Sequence, residues 1–307
     1  MDARDLVRTS GRLRLAAELR RLRDLSGVSG RELARRISIS QSKVSRIESG
    51  VVLPSLPEVT AWGTALGASQ ATLDQLAFLI NAAHTEVQPW REVLRGRGHI
   101  QDEVQEREAL ARRIRTFQPA VVPGLLQTAE YARRVFATRH PPYAEEDLRA
   151  AVAARLDRQQ LMFDRERQFD FLIAEGGLRW RPGPIPVLLG QLDRIASIMT
   201  LENVSIGLIS YDQEAVTLMS HGFVIYEGTG DDHAGFVTVE TIHASMTLND
   251  PRDVEVYRNR WSALREMAIF DNEASAYLTA MAGRIRTTPG HQNAGASRSA
   301  SATPRRG

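Results

Sequence analysis

The chain contains no cysteine, and only one of its 39 basic residues is a lysine. The lack of cysteine excludes disulfides, thiolate zinc sites, cysteine-bound iron–sulfur clusters and a thiol redox sensor. The strong preference for arginine is typical of a GC-rich genome and is not by itself a sign of function. It does draw attention to the single lysine, Lys43, in the segment SQSKVSRIESG at residues 40–50.

Long apolar runs are missing as well. No window approaches the ~18–20 consecutive apolar residues that a membrane span requires. The first residues carry acids early and form no continuous apolar stretch, so they do not have the pattern of a signal peptide. We therefore expect a cytoplasmic protein with no membrane partner.

The charge is distributed unevenly along the 307 residues, a length that allows two domains. Residues 1–50 hold 12 basic and 6 acidic side chains, whereas residues 87–282 hold 22 basic and 28 acidic ones. A basic head on an acidic body is typical of a polyanion-binding module joined to a different kind of domain. A solvated surface without a function would carry the same charges, so charge alone does not distinguish these two interpretations.

Residues 12–86 have the pattern of five short helices. The first ends at Gly27, which suits a left-handed C-cap. Ser29 and Glu32 have capping-box spacing at the start of the second helix. A three-residue turn, 38–40, leads to the third helix, for which Ser40 is a good N-cap.

The third predicted helix has one apolar face and one polar face. Val44 and Ile47 are its only large apolar residues, and their spacing predicts that both point into a core. Glutamine can pair with adenine, lysine or arginine with guanine, and serine with bases or phosphates, so an exposed polar face here suits the major groove of DNA. The residues predicted to point outward or sideways are Gln41, Ser42, Lys43, Ser45 and Arg46.

The segment SGRELARRISISQSKVSRIESG resembles the helix-turn-helix of the Cro/C1 or XRE-type repressor family. Members typically have the pattern T-Q-x-E-L-A-x-x-x-G-V-S-Q-S-x-V-S-R-I-E-x-G. The matching residues here are Glu32, Leu33, Ala34, Ser40, Gln41, Ser42, Val44, Ser45, Arg46, Ile47, Glu48 and Gly50.

The resemblance implies an all-α, five-helix, lambda-repressor-like DNA-binding domain. Two positions depart from the family. Gly30 stands where members often carry a glutamine that clamps a phosphate, so that contact is lost or moves to Arg31. Ser38 replaces the usual glycine of the turn, and Glu48 is expected to pair with a nearby arginine. The predicted DNA-binding residues are Ser29, Arg31, Ser40, Gln41, Ser42, Lys43, Ser45 and Arg46.

The rest of the chain predicts a different class of domain. Alternating apolar residues in RQFDFLIAE, and short apolar segments such as NVSIGLIS, HGFVIYE and GFVTVET, favour strands between helices. The chain as a whole is therefore predicted to be α+β, with a small, mainly antiparallel sheet in its second domain. The predicted divisions are an N-terminal arm (1–11), the DNA-binding domain (12–86), a helical connector (87–112), an α+β domain (113–282) and a disordered, arginine-containing tail (283–307).

This second half resembles the C-terminal domain of unknown function found in actinobacterial XRE-type regulators. The resemblance rests on RIRTFQPAVVPGLLQTAEYARRVF, ENVSIGLIS and TLNDPRDVEVYRNRWSALREMA. It implies a developmental-regulator or antitoxin-like role, often with a small partner protein encoded nearby. It assigns no ligand-binding residue to this chain.

Catalytic constellations are not recognisable in the second domain. A Ser–Lys dyad, a P-loop or a Schiff base would need a lysine there, and no G-x-S-x-G elbow occurs. We therefore expect no enzymatic activity, no cofactor and no metal, and we interpret DDH at 231–233 as a solvated turn. Tyr226 and Glu240 are candidates for lining a pocket, although packing within the sheet explains them more simply.

The leading interpretation is a sequence-specific transcription regulator. We expect a dimeric repressor that binds an inverted-repeat operator in double-stranded DNA, with a C-terminal domain that takes a ligand or partner. The alternative is an antitoxin-like protein-interaction module whose DNA binding is only autoregulatory. An enzyme with a regulatory head is a third, less favoured interpretation.

Overall fold

The computed structural model describes residues 11–90, 101–109, 111–139, 142–228 and 235–287. Most of the predicted N-terminal arm and of the C-terminal tail, part of the connector and the DDH segment at 231–233 lie outside these ranges. Among the described residues, helices predominate in the first part of the chain and a mixed sheet flanked by helices forms the second.

The first part consists of five helices around one core. Gly27 ends the first helix as expected, since its backbone lies in the left-handed region with φ at 68°. The buried side chains include Leu19, Leu33 and Trp62, each 0% exposed, and they come from three different helices. The helices are α1 Gly11–Ser26, α2 Gly30–Arg36, α3 Gln41–Glu48, α4 Leu56–Ala65 and α5 Gln70–His84.

Helical spacing predicts that Leu25 and Phe78 lie on the apolar faces of α1 and α5, but both side chains are exposed. Leu25 and Phe78 are 72% and 70% exposed, because each lies just beside the apolar stripe of its helix. The five-helix prediction is nevertheless confirmed, and the core is complete without these two side chains.

The second part is built on a sheet of seven described strands in the order β1-β7-β6-β5-β2-β3-β4. The strands are β1 Thr85–Pro89, β2 Arg113–Gln118, β3 Gln168–Ala174, β4 Val204–Ile209, β5 Phe223–Glu227, β6 Phe236–Glu240 and β7 Ala244–Leu248. Helices surround it: α6 Gln101–Ala109, α7 Ala129–Ala137, α8 Glu145–Arg158, α9 Glu175–Arg179, α10 Ile185–Ile198, α11 Pro251–Glu266 and α12 Asp271–Thr287.

The predicted α+β class and mainly antiparallel sheet are confirmed. The pairs β1–β7, β7–β6, β6–β5 and β5–β2 are antiparallel, whereas β2–β3 and β3–β4 are parallel. The sheet is larger than expected, because β1, β2 and β7 were not recognised in the sequence. Residues Thr85–Pro89 pair with β7, so the start of the predicted helical connector is a strand instead. The domain boundaries stay predictions.

Successive side chains of a strand point to opposite faces of the sheet, and here a hydrophobic core covers each face. On β3, Phe169, Phe171 and Ile173 pack among the helices α10 and α12. The intervening Leu172 packs on the other face with α11, whose Trp261 is 4% exposed. The sequence Asp250–Pro251 favours a helix start, and the Asp250 side chain caps α11 by accepting a hydrogen bond from the Arg252 amide at 2.8 Å.

We expect Ile47→Ala to destabilise the first domain by about 2–5 kcal/mol, since it removes a large side chain that is 1% exposed in the core. Chemical denaturation followed by circular dichroism measures the change. The matched control is Val51→Ala, because Val51 is 64% exposed and its truncation should change stability by less than about 0.5 kcal/mol. Equal effects of the two replacements would contradict the core assignment of Ile47.

Candidate nucleic-acid interface

The helix α2 begins at Ser29, whose hydroxyl accepts a hydrogen bond from the Glu32 amide at 3.2 Å. The predicted Ser29 cap is thus present, but the reciprocal half of the predicted capping box, from the Glu32 side chain to the Ser29 amide, is not formed. The carboxylate of Glu32 pairs with Arg35 at 2.7 Å and Arg36 at 3.1 Å, so it is directed along the helix and not back to its start. Arg31, in the first turn, is exposed.

The turn between α2 and α3 places Ser38 at a positive φ of 58°, where most family members have glycine. A non-glycine residue in the left-handed region carries some strain. A serine in place of the usual glycine is expected to strain this turn, and the positive φ of Ser38 agrees with that expectation. The flanking Ile37 and Ile39 are partly buried against the core of the first domain, which holds the turn in place.

Ser40 caps the third helix, as predicted from the sequence. Its hydroxyl accepts a hydrogen bond from the Lys43 amide at 3.1 Å and lies 3.1 Å from the Ser42 hydroxyl. A cap of this kind orients the first turn of α3 and satisfies one of the amides that lack a partner within the helix.

The two faces of α3 are as the sequence predicts. Val44 and Ile47 are 2% and 1% exposed, whereas Gln41, Ser42 and Ser45 are exposed. A Cβ on Gly30 would lie 3.5 Å from the Val44 side chain, so the start of α2, with Ser29 and Arg31, lies beside α3. The start of α2 therefore lies close to α3 on the side of Val44.

Lys43 has an acidic partner on another helix. Its Nζ lies 2.7 Å from Oε1 of Glu58 on α4, and its side chain is 37% exposed. The other carboxylate oxygen, Oε2, accepts hydrogen bonds from the amide and the hydroxyl of Ser55 at 2.9 and 3.1 Å. Glu58 thus links the lysine of α3 to the start of α4.

The Ser55–Glu58 capping box is a feature that the sequence analysis missed. The Glu58 amide donates to the Ser55 hydroxyl at 3.4 Å, which completes the reciprocal pair. The S-x-x-E spacing at residues 55–58 is a local signal in the sequence that could have revealed this capping box. The contact with Lys43 has no such local signal.

The Glu58 carboxyl is ionised at neutral pH. Burial alone would raise its pKa, but the hydrogen bonds with Lys43 and Ser55 outweigh burial and hold the pKa below the usual 4.5. The charge on Lys43 is therefore opposed by a full negative charge over the whole neutral range.

The expected structural role of Glu48 is confirmed. Its carboxylate pairs with Arg23 of α1, with Nε–Oε1 at 2.5 Å and Nη2–Oε2 at 3.0 Å, and Arg23 also donates to the Val28 carbonyl. Two parallel hydrogen bonds between guanidinium and carboxylate fix an orientation as well as a distance. This pair joins the end of α3 to α1 and to the loop before α2.

Arg46 is half-buried, unlike Gln41, Ser42 and Ser45, which are exposed. It lines a cavity between the first and second parts of the chain, together with Arg12, Tyr226 and Phe236. Of the two pocket candidates considered from the sequence, Tyr226 lines this cavity, while Glu240 is exposed elsewhere on the sheet.

In the part of the chain that the structure describes, no group of three or more histidine or acidic side chains is arranged to hold a metal ion. No described helix has the length and apolar character needed to cross a bilayer.

Two of the solved structures that resemble the chain show how weak the likeness is. A phospholipase D family member, Nuc, from Salmonella typhimurium has a TM-score of 0.33 and 12% identity, over 61% of this chain and 97% of that one. TrmBL2, an archaeal chromatin protein described as having a novel mode of DNA binding, has a TM-score of 0.29 and 13% identity, over 65% and 59% of the two chains. Neither likeness is strong enough to bear on fold or function.

Family comparisons are more informative. No curated protein matches the chain. Residues 14–76 match a family model described as "Helix-turn-helix domain", which supports a DNA-binding regulator. Residues 101–280 match the model described as "Domain of unknown function (DUF5753)", and that match covers more than half of the chain. The chain is thus a member of the DUF5753 family that carries an XRE-like helix-turn-helix at its N-terminal end.

Proposed function

We propose that this chain is a transcriptional repressor that binds an inverted-repeat operator as a homodimer, with a C-terminal domain that takes a ligand or partner. The observation that carries the proposal is the outward polar face of α3, which Val44 and Ile47 hold in place from the core side. Gln41, Ser42 and Ser45 are exposed on that face. These side chains have the donors and acceptors used to distinguish base edges in the major groove.

The contact between Lys43 and Glu58 gives the proposed interface a second property. In the free protein the ammonium group is neutralised by a carboxylate 2.7 Å away. DNA has to displace Glu58 before a phosphate or a guanine can bind Lys43. Because any duplex offers phosphates, this competition weakens binding to every sequence. At the correct position of an operator, a contact between Lys43 and a base offsets this loss of affinity. The Lys43–Glu58 pair therefore favours specific over non-specific binding.

We propose no catalytic step and no cofactor for this chain. The support is the distribution of lysine in the sequence, which leaves the second domain without the base that Ser–Lys or Schiff-base chemistry would require. A small partner protein and an antitoxin-like role stay predictions from the family resemblance. None of the contacts described above favours them over operator binding.

Glu58→Gln should strengthen non-specific DNA binding, because it removes the charge that holds Lys43. Glutamine keeps an oxygen that can accept hydrogen bonds from Ser55, so α4 retains its cap. With one more cation available to phosphates, the slope of log K against log salt should become steeper by about one. Fluorescence anisotropy with a random-sequence duplex measures this slope.

The control for that experiment is Asp74→Asn, which changes the net charge equally at an exposed position on α5. If both variants change the slope to the same extent, the general charge of the protein, and not the release of Lys43, is responsible. A slope unchanged in Glu58→Gln would show that the lysine does not reach phosphate.

Genome-wide recovery of bound DNA tests the proposed interface in the cell. The Gln41→Ala/Lys43→Ala double variant should lose the sites that the wild type occupies, since each side chain that contacts a base contributes about 1–3 kcal/mol. Gln75→Ala is the matched control, because Gln75 is exposed on α5, away from α3, and its occupancy pattern should be unchanged. Retained occupancy by the double variant would contradict the assignment of α3.

The dimer is tested with the operator itself. Two recognition helices related by a two-fold axis contact half-sites about 34 Å, or one helical turn, apart. We expect a duplex with one half-site scrambled to bind at least about a hundredfold more weakly than the intact repeat, because one whole set of contacts is lost. An anisotropy titration compares the two duplexes. Equal affinity would show that a single copy is the binding unit.

A further inference from the structure

A cavity of about 730 Å³ lies between the helix-turn-helix part and the sheet part of the chain. One wall is formed by Arg12, Arg46 and residues 51–57, which include the end of the loop between α3 and α4 and the first two residues of α4. The opposite wall includes Tyr226 of β5, Phe236 of β6 and the start of α11 at 249–252. Its volume is within the range of ~300–1,000 Å³ that is usual for small-molecule sites.

The walls of the cavity are mainly apolar. Residues 51–57 provide valine, leucine and proline side chains, and Val51 is 64% exposed where it borders the cavity. On the other side, the rings of Tyr226 and Phe236 stack with centroids 4.6 Å apart and planes 15° from parallel. The stack suits a ring or an alkyl chain lying against it.

Arg12 adds a positive charge with no acidic partner among the described residues. Its Nε is buried in the structure without a hydrogen-bond acceptor, in a side chain that is only partly exposed. A buried donor of a charged group without a partner costs free energy. The guanidinium group of Arg12, which lines the cavity, has further N–H donors and a positive charge that suit an anion. On the far wall, Arg252 already pairs with Asp250 at 2.8 Å, so it differs from Arg12 in this respect.

We propose that this cavity binds a small amphipathic anion, with its apolar body against Tyr226 and Phe236 and its acidic group on Arg12. A neutral apolar ligand would leave the Arg12 donor without a partner. The chain's own residues 288–307 are poorly suited as the occupant, since their charged side chains are three arginines. An organic acid complements the positive charge of Arg12, which this basic segment does not.

The cavity also connects the ligand to DNA binding. Arg46 belongs to α3, and residues 51–57 include Ser55, which caps α4 together with Glu58. A ligand whose affinity differs between the free and the DNA-bound protein must change DNA affinity by the same factor. This regulatory role rests on the proposed function, whereas binding of the anion does not.

The test uses the full chain, without DNA, and two fluorescent probes. One is 8-anilinonaphthalene-1-sulfonate, an aromatic anion, and the other is N-phenyl-1-naphthylamine, which has the same rings without the sulfonate. Arg12→Gln should weaken binding of the sulfonate by about ten- to a hundredfold, the range expected for loss of a charge-assisted hydrogen bond, and change binding of the neutral probe by less than about twofold.

Two further variants locate the site. Arg14→Gln removes an exposed arginine from the same helix and should leave the affinities for both probes unchanged. Val51→Trp places a large ring at an exposed position bordering the cavity, so it should abolish binding of both probes without disturbing the core. Thermal unfolding of each variant checks that the fold is intact.

The proposal is overturned if Arg12→Gln leaves sulfonate binding unchanged, if it weakens both probes equally, or if Val51→Trp binds them as the wild type does. Because the titration contains no DNA, its outcome is separate from that of the operator experiments. A chain that fails to bind DNA but gives the expected probe affinities would keep the cavity assignment and lose only the regulatory one.

Discussion

The interface depends on the insertion of Val44 and Ile47 into the core of the first domain. These two side chains determine which face of α3 is buried, and therefore which polar residues are exposed. The Arg23–Glu48 pair then fixes the end of α3 against α1, and the Ser40 cap fixes its start. With both ends and one face held, the exposed side chains are presented in one orientation, which reduces the ordering cost of binding.

Charge acts on this interface in two opposite ways. The first part of the chain carries an excess of basic residues, which favours contact with a polyanion. Yet the one lysine, on α3, is held by Glu58, and Arg46 is turned towards the cavity beside the sheet. The most exposed residues of α3 are accordingly neutral, which suits discrimination between bases better than attraction to phosphates.

Local features could be predicted from the sequence, and long-range ones could not. The caps at Ser29, Ser40 and Asp250 involve residues a few positions apart, so spacing alone reveals them. The strands β1 and β2 pair with segments far away in the chain, β7 pairs with distant β1 as well as with neighbouring β6, and the Lys43–Glu58 contact joins two helices. Phe78 shows another limit, since helical spacing fits more than one stripe and only packing selects among them. The cavity is formed by distant segments and has no local signature.

The central claim is that the exposed face of α3 lies against base edges. Photo-crosslinking tests it most directly, with a photoreactive residue at Ser42 or, as a control, at Gln75, and the operator duplex as target. The account predicts crosslinks from position 42 to bases within each half-site and none from position 75. Crosslinks absent from position 42, or equally frequent from both positions, would contradict it.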